Sequence, residues 1–465
     1  MQPFRIAINM AGAVSAGAYT AGVLDFLTQA LDQWQAAKDR GEDVLRHEVS
    51  IEVLSGASAG GMCAAIWASM LQEQPCNKLF DAWVDAIDIR RLLTTSDLKH
   101  GLVSLLDSSV IETVALDALT PGAPHARAYV SPQLTLFLTL TNLRGIPYAL
   151  FEGQTLEPDE YATYHADRLR FEMVEPGSGP KSAEARPLPR GRDGTDWALL
   201  RTAAMATGAF PAFLAPRAIS RTKAEYARPL WEPSAGAPAP AFPSGSNDWT
   251  TVNVDGGVLN NSPFALAHEY LCSIDPENSA VITVAPFPGN DARNQDYNAA
   301  RESGLFAVLV RLVSTVLSQA RFFGESLASV AGAPSTSRFF IAPSGSPLQC
   351  GTLGAFGGFF ERSFREHDFQ LGRRNCQRFL ENSFMGKIPL VGSARVEVPA
   401  PAPGSITRAS LNEIVDLIVK RANALLPLLI ESRLLRWGAR MLIAARGKSE
   451  LKKVLERGLH GFIAR

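Results

Sequence analysis

Ser58 stands in the middle of Gly56-Ala57-Ser58-Ala59-Gly60, a G-x-S-x-G. Before it, Ile51, Val53 and Leu54 read as a buried strand; after it, Met62 to Leu71 reads as a helix. A serine on so tight a strand-to-helix turn is lifted above a sheet edge. There the free N–H groups and dipole of a helix N-terminus favour developing negative charge. The chemistry this permits is nucleophilic attack on an acyl carbon, and the strand–turn–helix setting separates the reading from an ordinary Gly/Ser-rich turn. Such a hydroxyl needs a base. Residues 251–257, TVNVDGG, end a short apolar strand in Asp255, which aims a carboxylate at the same sheet edge. Gly256 and Gly257 let backbone pass close by. Taken alone, D-G-G is an ordinary turn. None of the seven histidines (His47, His100, His125, His165, His268, His367, His460) has a comparable glycine-rich strand-end setting. His268 follows D-G-G on a helix and His367 lies in a charged segment, and either could serve a triad.

Negative charge on a reacting oxygen needs donors. Gly12-Ala13-Val14-Ser15-Ala16-Gly17 ends one strand and opens one helix, so its small residues can form a nest of inward N–H groups. A nucleotide site is the weaker reading, because Val14 breaks G-x-G-x-x-G and no P-loop lysine is present. The elements that must carry these pieces are legible. Phe4 to Asn9 predicts a buried strand, and Val23, Leu24, Leu27 and Leu31 predict a helix from about Ala18 to Lys38. Leu134 to Asn142, Thr251 to Val254 and Ala280 to Ala285 predict further strands. Alternating strands and helices predict an α/β class with a sheet between helical layers, and a ligand beyond the strands' carboxyl ends. Pro176 to Asp196 and Pro229 to Asn247 read as surface loops. Between about Ala299 and Glu381 the pattern turns helical, with Leu305 to Leu317 as an apolar core stripe. Pro399 to Ser405 reads as a linker.

Bulk properties narrow the partners. In 465 residues, 46% are hydrophobic and the formal net charge is −1, so the chain can build a large core and no nucleic-acid partner is expected. The five cysteines (Cys63, Cys76, Cys272, Cys350, Cys376) lack metal or disulfide spacing, which predicts a reducing, cytoplasmic setting. The N-terminus reads as mature structure, and no apolar stretch of about 18 residues predicts a spanning helix. No cofactor is expected, and no metal, since no acidic cluster or His pair has ligand spacing. From Arg421 onward ten basic residues (Arg421, Arg433, Arg436, Arg440, Arg446, Lys448, Lys452, Lys453, Arg457, Arg465) stand against Glu431, Glu450 and Glu456, with Trp437 and Phe462 interleaved. These helices read either as an arm for peripheral contact with anionic membrane or as a solvated cap.

The order of the three pieces resembles the patatin-like phospholipase family: GAVSAGAYTAGVL (Gly12–Leu24), GASAG (Gly56–Gly60) and DGG (Asp255–Gly257). ATGAFPAFLAP (Ala206–Pro216) and NNSP (Asn260–Pro263) also look like the family. The resemblance covers about residues 4–290. It implies a patatin-like three-layer fold with a central, mainly parallel sheet, and helical C-terminal additions. The expected organisation is a patatin-like domain over 1–290, a mostly helical extension over 291–398 and a basic helical region over 405–465. It implies a phospholipase A or lysophospholipase type of acyl hydrolase acting on acyl lipid. Ser58 and Asp255 would form a Ser–Asp dyad, and Gly12 and Ala13 the oxyanion donors, with Gly17, Gly56, Gly60, Gly256 and Gly257 shaping the motifs. The chain departs from the family's G-G-G-x-[RK]-G at Ala13, Val14 and Ala16. A β-branched residue resists the unusual φ such a turn asks for. That departure favours one rival, a non-catalytic lipid-binding or scaffold homologue. The other rival is a Ser-His-Asp esterase of α/β-hydrolase type, for which an elbow at residue 58 comes early.

Overall fold

The computed structural model describes residues 2–149, 161–226, 239–288, 319–320, 332, 338–384, 386–400 and 404–464. Leu305–Leu317 and residues 229–238 of the second proline-rich stretch lie outside them. The chain opens β1 (Phe4–Met10), α1 (Gly17–Asp39), β2 (Val49–Gly56), α2 (Ser58–Met70). It continues with β3 (Val130–Ala149), β4 (Tyr161–Val174), β5 (Ala185–Pro189), α3 (Thr195–Thr207), β6 (Arg217–Thr222) and β7 (Asp248–Asp255). Then follow α4 (Phe264–Ile274), β8 (Ser279–Val284), β9 (Arg338–Ile341) and α5 (Arg362–Asn382). Three helices close the chain: α6 (Arg408–Leu429), α7 (Arg433–Leu442) and α8 (Lys448–Gly458).

One nine-stranded sheet runs β5-β4-β3-β2-β1-β8-β9, with β7 on the far part of β3 and β6 on β7. The strands β3-β2-β1-β8-β9 are parallel neighbours, and β4, β6 and β7 join antiparallel. Strand alternation sorts the two faces. Ile6, Ile8, Ile51 and Leu54 pack with Tyr19, Trp67 and Leu200 on one side. Ala7, Val53, Phe137 and Val281 pack with Phe264, Ala267 and Leu271 of α4 on the other. Near-continuous apolar strands such as β1 and β2 are what burial on both faces demands. The result is the mainly parallel, helix-flanked α/β sheet expected from the sequence.

Three details differ from the sequence reading. Ala185–Pro189, placed in a loop, is the sheet's edge strand, parallel to β4. Pro187 and Pro189 are tolerated there because an edge strand can spare donors. Arg338–Ile341, placed in a helical stretch, is β9 and pairs with β8, so the sheet extends past residue 290. α5, also beyond that point, lies against α1 at a backbone-to-backbone crossing. A Cβ on Gly22 would stand 1.9 Å from the Phe369 carbonyl oxygen, and one on Gly372 2.1 Å from that of Tyr19. Finally, Arg421, counted among the membrane-facing charges, is 1% exposed. Its guanidinium donates to both Asp97 oxygens at 2.8 Å and to the carbonyls of Thr94, Ser104 and Leu105.

Candidate active site

β2 ends at Gly56, Ala57 remains extended, and Ser58 opens α2 at φ +52°. That left-handed φ is costly for a residue with a Cβ, and here the surroundings over-determine it. The Ser58 N–H donates to Thr207 Oγ1 at 2.9 Å. A side chain at position 60 would meet the Met10 carbonyl oxygen at 2.3 Å, so only glycine lets α2 start this close to β1.

Asp255 reaches the elbow by a route that the sequence did not show. β3 pairs Leu138 with Gly56 at the end of β2, then overshoots it. β7 returns antiparallel along that overshoot, setting Asp255 opposite Leu140. The Asp255 N–H donates to the Ala209 carbonyl, and Thr141 Oγ1 donates to the Asp255 carbonyl at 2.8 Å. The Ser58 hydroxyl then donates to Asp255 Oδ2 at 2.6 Å, and the Gly257 N–H to Oδ1 at 2.7 Å. Both side chains are buried, at 7% and 3% exposure. Burial pushes the Asp255 carboxyl up to about 7, against the pull of the bonds from Ser58 and Gly257.

The glycine-rich turn faces the same point. Gly12, Ala13 and Val14 line a pocket with Ser58 and Asp255. Val14 takes φ +49°, so the strain its branched side chain foretold is present and borne. The Gly12 N–H donates to the Asn261 carbonyl at 3.0 Å. No acceptor among the described residues takes the Ala13 N–H. Beneath the turn, Ser55 donates to Asn9 Oδ1, and Asn9 donates to Ser262 and Thr283.

An apolar chamber opens from Ser58. Its walls include Val14, Met62, Trp83, Leu106, Ile111, Phe210, Phe213, Phe356 and Phe359. Phe356 lies 5.9 Å from Phe210 and 5.6 Å from Phe213 between ring centroids. A strap carries Phe356 to this position. Leu353, Gly354 and Ala355 are consecutive left-handed residues at φ 51°, 64° and 75°. Ser15 Oγ fastens the strap, donating to the Ala355 carbonyl at 2.6 Å and accepting from the Gly358 N–H at 3.1 Å. Thr207, Asn261 and the phenylalanines carried no sequence role, although Thr207, Phe210, Phe213 and Asn261 fall inside the two family-like stretches.

The histidines go elsewhere. His367 pairs with Asp368 at 2.8 Å and Ser346 Oγ at 3.2 Å. His268 stacks on Phe264, and His460 is exposed. Among the described residues no cluster of three His, Cys, Asp or Glu could hold a metal ion. No described helix is long and apolar enough to cross a membrane.

Known proteins place the chain. It is 33% identical over 537 residues to the uncharacterized protein y4iI of Sinorhizobium fredii (strain NBRC 101917 / NGR234), covering 90% of this chain and 75% of that protein. Among solved structures, VipD from Legionella pneumophila matches 97% of this chain and 88% of its own at 13% identity, with a TM-score of 0.28. The family model for patatin-like phospholipase matches residues 9–268, more than half of the chain and inclusive of the elbow, the glycine-rich turn and D-G-G. The chain therefore belongs to the patatin-like phospholipase family.

Proposed function

We propose that this member of a lipid acyl hydrolase family cleaves acyl esters of phospholipids, lysophospholipids or glycerides through Ser58 and Asp255 alone. The observation that carries the reading is the 2.6 Å contact from the Ser58 hydroxyl to Asp255, with no imidazole between them. A carboxylate of ordinary pKa is a weak base for a serine. Burial offsets this by raising the carboxyl to about 7, near working pH.

Ser58 Oγ attacks the ester carbonyl while its proton passes to Asp255. The Ala13 N–H, with the next amide of the strained turn at Val14, and the start of α2 face the charge that develops on the carbonyl oxygen. Collapse of the tetrahedral species breaks the bond to the alcohol, and Asp255 returns the proton to that leaving oxygen. Water, deprotonated by Asp255, then releases the acid from Ser58. The apolar chamber beside Ser58 suits the acyl chain.

A fluorophosphonate probe tests the assignment. It is expected to label the protein at Ser58 and to leave folded Ser58→Ala unlabelled. Ser58→Ala and Asp255→Asn are each expected to lose hydrolysis of a long-chain p-nitrophenyl ester. Folded, unlabelled wild-type protein would instead support the lipid-binding scaffold reading, for which the altered turn at Val14 and Ala16 speaks.

A further inference from the structure

Helix α7 wears its apolar side outward. At about 100° per residue, Leu434, Leu435, Trp437, Met441 and Leu442 share one side. They are 76%, 64%, 63%, 53% and 63% exposed. The half-covered positions of the helix, Arg436 and Ala439, fall on the opposite side, toward the rest of the molecule. A surface helix of a globular protein does the reverse, turning its apolar stripe to the core. The border of the stripe is cationic. Arg433 and Arg440 on α7, and Arg446 and Lys452 just beyond, have no acidic partner among the described residues, whereas Lys448 and Lys453 pair with Asp416 and Glu450.

We propose that α7 docks the protein on an anionic lipid surface, with the leucines and Trp437 entering the headgroup boundary and the arginines on its phosphates. Charge argues for this occupant over a second copy. A two-fold contact through the same stripe would bring Arg433 and Arg440, which border it, toward the same residues of the other copy. The element is tied to the site's mouth. The end of α8 packs on Leu353, so closely that a Cβ at Gly458 would meet that side chain at 2.0 Å. Leu353 opens the strap whose Ala355 borders the Ser58 pocket. Docking through α7 therefore engages an element joined through Ile443–Gly447 to the helix braced against the pocket rim.

The test uses the full-length chain carrying Ser58→Ala, so binding is read without turnover and stands or falls apart from the hydrolase assignment. Vesicles of phosphatidylglycerol and phosphatidylcholine are expected to sediment the protein, less at high salt, and pure phosphatidylcholine to sediment little. Adding Leu434→Glu with Trp437→Glu is expected to lower partition by about tenfold or more. The same pair in the Ser58 chain should leave the melting temperature and short-chain ester hydrolysis unchanged. Equal sedimentation with and without the pair of substitutions would overturn the proposal. A concentration-dependent dimer abolished by them would assign the face to a second copy and overturn it equally.

Discussion

At Asp255 two effects oppose each other. Desolvation favours the neutral acid, and hydrogen bonds from Ser58 and Gly257 favour the carboxylate; desolvation wins and the group titrates near 7. Two expectations follow from one carboxyl. The low-pH limb of kcat/KM should bend near 7, losing about tenfold per pH unit below it, because the base must be ionised. For stability the sign is opposite to that of a salt-bridged acid. The folded value lies above the unfolded one, so the stabilising effect of protonation is complete below about pH 4 and lost as pH rises through 7. Asp255→Asn should therefore gain on the parent in urea melts, by roughly 2–3 kcal/mol more at pH 8 than at pH 5. A gap that does not change with pH would show the carboxyl to be ordinary. Ser58 and Asp255 were legible because each sits in a local pattern of strand, turn and glycine. The bond from the Gly12 N–H to Asn261 was not, since nothing near residue 12 reports a carbonyl 249 positions away.

At the scale of elements, the strap from Leu353 to Phe356 and the glycine-rich turn hold each other. Ser15 is the fastener, donating to Ala355 in the strap and accepting from Gly358 just beyond it. Ser15→Ala removes both, and with them about 1–2 kcal/mol of local stability. The expected readout is faster amide exchange at Gly358 and altered chain-length preference, with hydrolysis of a short ester retained. An unchanged preference would mean that Phe356 holds its place without the clasp. The strands divide by how they advertise themselves. β1, β2 and β8 are apolar runs bounded by turns, and periodicity finds them. β5 carries two prolines and β9 is four residues long, so each exists only because a sheet edge was waiting for it.

At the scale of the molecule, the central sheet and the C-terminal helices share one core. Ile406, Leu411, Ile414 and Val415 join the main core, and Arg421 plugs the carbonyls of the Thr94–Leu105 segment. Removing the buried arginine leaves the half-buried Asp97 and several carbonyls without their donor. Arg421→Ala is expected to cost about 2 kcal/mol or more in denaturant unfolding, from these groups left without a donor, and to lower activity through Leu106, the adjacent chamber wall. Arg421→Lys should not rescue it, since one ammonium cannot span the fork geometry. A mutant as stable as the parent would make the C-terminal region a separate unit. Composition foretold basic helices after residue 405, but not which cation turns inward, because burial of one arginine leaves no trace in spacing.

Phe356 and Phe359 lie outside residues 9–268, the span that the family model matches, yet they wall the chamber that begins at Ser58. Transplanting the matched span alone into a relative would move Ser58 and Asp255, the proposed nucleophile and base, while leaving behind part of the chamber proposed to hold the acyl chain. Chimeras that differ only downstream of residue 338 should then cut the same bond yet rank fatty chains in a different order.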